Sequence, residues 1–387
     1  MAESARTSAL TQLRHDNREH VVRLLTELGP LTQSQLAKES GLSKATVSNL
    51  VKEMTAEEVV TVENTVHNGR RANLITLVPT RRVSLGIDIS EHHYVLALVS
   101  SDRTELEIRK VGIEIPWDSK KFLESLSENT TDMLRGAKRK LKDLAAIGVG
   151  VPAPVEADSE SVALTPMLPT WLDAEAVLPG IKELTAGPVT LSNDANLAAL
   201  AEVAFGNHRG AENLIYVLIS RGIGAGMYLR GDEYTGALGF AGEIGHIRST
   251  SGYELCRCGN RGCLEGEIAT VTMIKQAQAA GFRGETIEDV ACAIHAGHVA
   301  VQRVVSDAGT VLGRALADLS SILNPDIMVI GGNPAVTSEV FLEATRIALR
   351  RHCLPLVADR IDVFPDSLAG KAVALGAAER ALRKLGL

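Results

Sequence analysis

Residues 31–54 read LTQSQLAKESGLSKATVSNLVKEM, and the architecture of the N-terminal end follows from this stretch. Thr32 and Gln35 stand three apart as a capping box, which opens a helix running to about Glu39. Gly41 supplies a tight turn, and Ser43 caps a further helix reaching about Met54. Leu36, Ala37, Leu42, Val47, Leu50 and Val51 recur at helical spacing and make up a small core. Two helices joined by a short glycine-bearing turn form a helix-turn-helix. Upstream, Arg14 to Leu28 carries an apolar stripe of Val21, Val22, Leu24, Leu25 and Leu28, and Gly29-Pro30 ends that helix. Downstream, Val59 to Val62 and Asn73 to Val78 flank His67-Asn68-Gly69 and predict a hairpin turning at Asn68-Gly69.

The third helix then presents Lys44, Thr46, Ser48, Asn49 and Lys52, with Ser43 at its start. These side chains contact phosphates and base edges from a major groove. Arg70 and Arg71 follow the hairpin tip, where a wing reaches a minor groove or flanking phosphates. A three-helix protein-interaction module with a solvated polar face is the plainer reading. The arginine-bearing wing directly after the third helix favours double-stranded DNA. Charge is divided accordingly: residues 1–82 carry a balance of +2 and the remainder −9, within a total of −7.

From Val83 the pattern changes to short apolar strands, VSLGIDI, YVLALVS and ELEIRKVGIEI. A helix over about Lys120 to Leu141 and a buried strand, AAIGVGVPAPV, come next. A second strand-rich block begins at Asn213 (NLIYVLIS, GAGMYLR) and a late strand, DIMVIGG, at Asp326. Two β-rich halves of similar layout predict duplicated lobes of the actin-like, hexokinase-type (ribonuclease H-like) α/β fold. Hydrophobic residues at 45%, aromatics at only 3% and 34 glycines suit a loop-rich body packed with Ala, Val, Leu and Ile. No apolar run approaches the roughly 20 residues that span a bilayer, and the N-terminal MAESARTSALTQLRHDN is polar. The five cysteines are odd in number and three crowd between 256 and 263, which argues against a disulfide framework. A cytoplasmic location without membrane attachment is expected.

Four motifs occur in order: LSNDANLAALAEVAFG, GALGFAGEIGH, CRCGNRGCLE and NPDIMVIGG. In this the chain resembles the repressors of the ROK family (repressors, open reading frames and sugar kinases), over nearly its whole length. The implied organisation is a winged helix-turn-helix in residues 1–82 and a first lobe in 83–195 joined by a C-terminal helix in 371–387. A second lobe in 196–370 carries a metal loop and a dimer interface. The resemblance implies a DNA operator, a sugar or sugar-derived effector bound between the lobes, and a homodimer or homotetramer.

Cys256, Cys258 and Cys263 stand in C-x-C-x4-C spacing, with Gly259 and Gly262 between them and His246 ten residues upstream. Buried or redox-active thiols are the plainer reading. Three thiols within eight residues plus an imidazole fit a closed structural zinc site better, and the resemblance assigns the same four ligands. Cys292 and Cys353 lack such neighbours and are expected in the core. By resemblance, Asn193, Asp194, Glu243, His246 and Glu265 line the sugar pocket, with His246 serving both metal and sugar. In the family's kinases, the aspartate at the position of Asp194 is the general base. Met167, in TPMLPTWLD, stands where the family usually has an asparagine touching the sugar, and a thioether cannot donate to a hydroxyl.

Phosphoryl transfer needs glycine-rich turns whose N–H groups cradle phosphates. Where the family's kinases read D-x-G-G-T, this chain reads Asp88-Ile89-Ser90-Glu91-His92. Where they read G-T-G-x-G it reads Ser220-Arg221-Gly222-Ile223-Gly224. Gly331-Gly332, the third element, is intact. The expectation is a regulator without catalytic residues. An active sugar kinase that also represses, and a repressor with a silent pocket governed by a protein partner, are the alternatives.

Overall fold

The computed structural model describes residues 17–18, 20–25, 28–56, 59–67, 70–77, 81–114, 116–156, 168–249 and 253–387. The chain divides into two units, one of residues 1–83 with 100–104 and 382–387, the other of 84–99 and 105–381.

In the first unit, helical residues 17, 18, 20–25 and 28 form α1. They are followed by β1 (Leu31–Thr32), α2 (Gln33–Ser40), α3 (Lys44–Ala56), β2 (Val60–His67) and β3 (Arg70–Leu77). Thr32 and Gln35 close the capping box reciprocally, and Gly41 ends α2 in the left-handed conformation at φ 68°. Ser43 Oγ accepts from the Thr46 N–H at 3.1 Å and starts α3. The core joins Val21, Leu25, Leu36, Val47, Leu50, Val51, Met54 and Ile75. Two expected members fall at its edge, since Ala37 and Leu42 are only partly buried, and Leu28 is exposed. The wing also has a strand the sequence did not announce: β1 pairs antiparallel with β3, Leu31 opposite Ile75. Such a short strand lacks the length that alternation needs to be recognised.

The second unit opens with β4 (Val83–Ile89), β5 (His93–Ser100), β6 (Glu105–Gly112), α4 (Ser119–Gly136), β7 (Leu144–Val151), α5 (Ala174–Lys182) and β8 (Val189–Asn193). It continues through α6 (Asp194–Ala204), β9 (Leu214–Ile219), β10 (Ile223–Leu229), β11 (Asp232–Glu233), α7 (Leu264–Ile268), α8 (Thr270–Ala279) and α9 (Ile287–His295). It closes with α10 (Val299–Leu323), β12 (Ile327–Gly332), α11 (Glu339–His352), α12 (Pro355–Ala358), β13 (Asp362–Pro365) and α13 (Ala372–Lys384). One sheet runs β6-β5-β4-β7-β8 and the other β11-β10-β9-β12-β13. In both, the order of first appearance is third, second, first, fourth, fifth, which is the duplication expected of an actin-like body.

Glycines let helices lie directly on the sheets. A Cβ on Gly86 of β4 would stand 1.8 Å from the Ala374 carbonyl of α13, and one on Gly148 of β7 1.9 Å from that of Ala377. On Gly226 of β10 it would come within 2.3 Å of the Ala195 carbonyl of α6, and on Gly376 of α13 within 1.8 Å of Leu197 O. So α13 packs on the first sheet, α6 on the second, and the two helices touch backbone to backbone. The Gly331-Gly332 pair is likewise a packing requirement within β12: their Cβ atoms would strike the Tyr216 hydroxyl and the Ile219 carbonyl, at 1.9 and 2.0 Å. Cys353 is buried as expected, whereas Cys292, on the outer side of α9, is exposed. Among the described residues, no helix is long and apolar enough to cross a membrane.

Gly376→Ala forces α6 and α13 apart and is expected to destabilise the body by about 3 kcal/mol or more, beyond ordinary overpacking. Gly112→Ala, which meets nothing within 4 Å, is expected to be near neutral. Urea unfolding of both variants checks this.

Candidate functional site

A cleft of about 190 Å³ is lined by Pro152–Pro154 after β7, by the start of α6, by the β9–β10 turn and by the segment from Glu243 to Glu265. All five residues expected to hold a sugar, Asn193, Asp194, Glu243, His246 and Glu265, line it. Met167 lies outside the described residues.

Asn193 ends β8 and caps α6, its Oδ1 accepting the Ala195 and Asn196 N–H groups at 3.0 and 3.3 Å. Its Nδ2 donates to the Ala153 carbonyl at 3.2 Å and to Asp194 Oδ1 at 3.1 Å. Asp194 Oδ1 also accepts the Ala195 N–H at 2.8 Å. One oxygen of Asp194 is thus held by the helix start, where the dipole favours negative charge. Burial nonetheless pushes its carboxyl up to about 7, with the charges of Asp88 and Glu243 acting in the same direction. Asp88, in β4, is likewise pushed up to about 7 by burial, against the pull of Lys110. Glu243 is raised by burial, and the charge of Glu265 adds to that.

Glu265, at the start of α7, is buried. Arg257 Nε donates to its Oε1 at 2.8 Å, Arg257 Nη2 lies 2.5 Å from its Oε2, and the Ile223 N–H donates to Oε2 at 3.2 Å. The acceptor expected to face sugar hydroxyls is therefore already engaged by a guanidinium, and Arg257 itself lines the cleft. Arg257 was not singled out from sequence, and Asp88 was read there only as the aspartate opening the altered phosphate-loop stretch, not as a group beside Asp194. Arg257 occupies the free position of C-x-C, which no spacing rule marks.

His246, Cys256, Cys258 and Cys263 come together with their ligand atoms within 4.8 Å of one another. Cys258 and Cys263 Sγ are 3.7 Å apart, and Cys256 Sγ lies 3.7 Å from His246 Nδ1. Gly259 and Gly262, at φ 89° and 72°, reverse the chain in a conformation that a Cβ resists. Backbone bonds from Cys256 N to Asn260 O and from Leu264 N to Ile247 O, 2.8 and 3.0 Å, close the knuckle. Bonded sulfurs would be about 2.05 Å apart, so these are free thiols. The set can hold a thiolate-preferring metal, since a tetrahedral ion with bonds near 2.3 Å separates its sulfurs by about 3.8 Å.

In the other unit, Ser43, Lys44, Asn49 and Lys52 are exposed. Thr46 and Ser48 are half-buried rather than fully presented, and Thr46 Oγ1 bonds the Ser43 hydroxyl at 2.8 Å. The 3.6-residue period turns both partly toward Val47 and Val51. Arg70 and Arg71 begin β3, paired across the tip with His67 and Val66, while Asn68-Gly69 lies outside the described residues.

An unfolded aspartate ionises near 4, whereas folded Asp194 does so at about 7. Its ionisation therefore opposes folding above pH 7, and the opposition fades as pH falls from 7 toward 4. Asp194→Asn is expected to stabilise the protein by about 1–3 kcal/mol at pH 8 and to give no gain at pH 4. Melting curves of both proteins across that range check this.

The ROK family profile matches residues 84–384, and a domain of unknown function, DUF7343, matches residues 14–78. The chain is 32% identical to a putative xylose repressor of Caldicellulosiruptor sp. (strain Rt8B.4) over 93% of this chain and 94% of that one. It is 27% identical to NagC, a DNA-binding transcriptional dual regulator of Escherichia coli, over 93% and 91%. A solved ROK family transcriptional regulator, described as a homologue of the E. coli MLC protein, superposes with a TM-score of 0.80 at 24% identity, covering 97% of this chain and 96% of that one. The family match takes in the whole cleft and the cysteine knuckle: the chain belongs to the ROK family.

Proposed function

We propose that this protein is a sugar-responsive transcriptional repressor, reading operator DNA with its winged helix-turn-helix and binding a sugar or sugar derivative in the cleft. The observation that carries the reading is the union, in one chain, of a helix-turn-helix with an exposed Lys44-Asn49-Lys52 face and a carboxylate-lined cleft. Relatives matched over more than nine-tenths of both chains are named as a xylose repressor and as a DNA-binding transcriptional dual regulator. Asn193, Asp194, Glu243 and His246 supply the paired donors and acceptors that hydroxyl recognition needs. Ser43, Lys44, Thr46, Ser48, Asn49, Lys52, Arg70 and Arg71 are the proposed DNA contacts. In a homodimer or homotetramer, a small rigid-body change alters half-site spacing and can shift operator affinity by about 1–3 kcal/mol.

Zinc is the proposed metal, held by His246, Cys256, Cys258 and Cys263. Four protein ligands leave no open position for activated water, so the ion would serve structure, fixing His246 and the loop leading to Glu265. The proposed role is regulatory and not catalytic, because Ser90-Glu91 and Arg221 replace the residues that would cradle phosphates.

Operator fragments recovered by in vitro selection, titrated in anisotropy, test the reading. Asn49→Ala is expected to cost about 1–3 kcal/mol of affinity and to relax base preference. Lys44→Ala and Lys52→Ala are each expected to lower the salt slope by about one. D-xylose and N-acetylglucosamine head a panel of sugars, sugar phosphates and oligosaccharides; the effector reading fails if none changes operator affinity. Mass spectrometry of metal content is expected to give one zinc per chain and almost none in Cys258→Ser, with a lower melting temperature.

A further inference from the structure

Glu91 and Arg221 each break a phosphate-binding pattern, one in place of a glycine and the other in place of a threonine. They lie 130 residues apart in sequence, yet Arg221 Nη1 donates to Glu91 Oε2 at 2.9 Å. The Glu91 side chain is only 9% exposed. Its carboxylate also accepts the Thr170 N–H at 3.1 Å and the Thr170 hydroxyl at 2.6 Å, while the Trp171 indole N–H donates to the Glu91 carbonyl at 3.0 Å. On the other side, the Arg221 carbonyl accepts from Arg257 Nη2 at 3.2 Å, and Arg257 pairs with Glu265. A continuous polar chain therefore runs from Thr170 and Glu91 of the first lobe to Arg221, Arg257 and Glu265 of the second.

Either substitution alone would be unfavourable, a desolvated carboxylate without a counter-ion or a cation beside backbone donors meant for anions. Together they satisfy each other. They also exclude phosphates twice over, because Glu91 repels them and Arg221, the cation that would attract them, is already neutralised. We infer that the Glu91–Arg221 pair is a positioning latch that joins the two lobes where a nucleotide would join them in a kinase of this fold. Cleft closure is thereby set by the chain's own charges, without ATP. For its consequence this rests on the cleft being the regulatory site proposed above, but its test needs neither sugar nor DNA.

Hydrogen–deuterium exchange on the full-length protein reads the latch. Arg221→Gln, in the second lobe, is expected to speed exchange of the 168–173 peptide of the first lobe about two- to fivefold, the range for a partly exposed ion pair. Glu91→Gln is expected to speed exchange in both 168–173 and 219–224, and adding Arg221→Gln to it should do nothing further. Arg221→Lys, which keeps the charge, should hold the 168–173 rate near that of the wild type. An unchanged 168–173 rate in Arg221→Gln would overturn the latch. So would equal acceleration across the whole body, which would mean general destabilisation.

Discussion

The backbone contact between α6 and α13 is the constraint on which the body depends. Gly376 leaves no room for a Cβ against Leu197 O, and Gly226 leaves none against Ala195 O. Because the helices lie this close, each can rest on one sheet while touching the other helix, and two copies of one strand order become a single body. Close-packed interiors transmit displacement instead of absorbing it. α6 begins at Asp194 and is capped by Asn193, so this packing also fixes one wall of the cleft.

The wall formed by the segment from Glu243 to Glu265 is fixed differently. Among the described residues from Glu243 to Glu265, regular structure is limited to a 3-10 turn at Ile244–His246, the start of α7 and two isolated β-bridges, Arg248 with Cys263 and Leu255 with Arg261. Order there comes from the cysteine knuckle, whose ligand groups converge on one point, and from Arg257, which holds both oxygens of Glu265. One wall is thus set by apolar packing and the other by polar contacts beside four converging side chains that could hold a metal. The Asp194 and Glu243 carboxyls, both raised by burial, line the cleft, and the charge of Asp88, itself raised by burial, acts on Asp194. Such a concentration of perturbed acids is typical of binding and reaction sites and costs stability elsewhere in a fold.

Asp194 and Glu243 line the cleft beside His246, while Glu91 and Arg221 pair across 130 residues of chain. The knuckle needs no chemical role to matter, since it places His246 and Glu265 beside the same cavity.

Local patterns were legible in the sequence because their physics is local. The Thr32–Gln35 capping box, the left-handed Gly41, the strand VSLGIDI and the C-x-C-x4-C knuckle are decided by neighbours within a few residues. The resemblance carried by the four motifs implied that Asn193, Asp194, Glu243, His246 and Glu265 share one pocket, and they line one cleft. Sequence alone misjudged exposure at Thr46, Ser48, Leu28 and Cys292, because the orientation of a side chain depends on what packs over its helix. It could not show that Arg257 fills the acceptors of Glu265, or that Glu91 meets Arg221, because partners so distant in the chain are chosen by the packing of two lobes. Tertiary structure alone decided those pairings, since charges attract through space and a sequence records only their order.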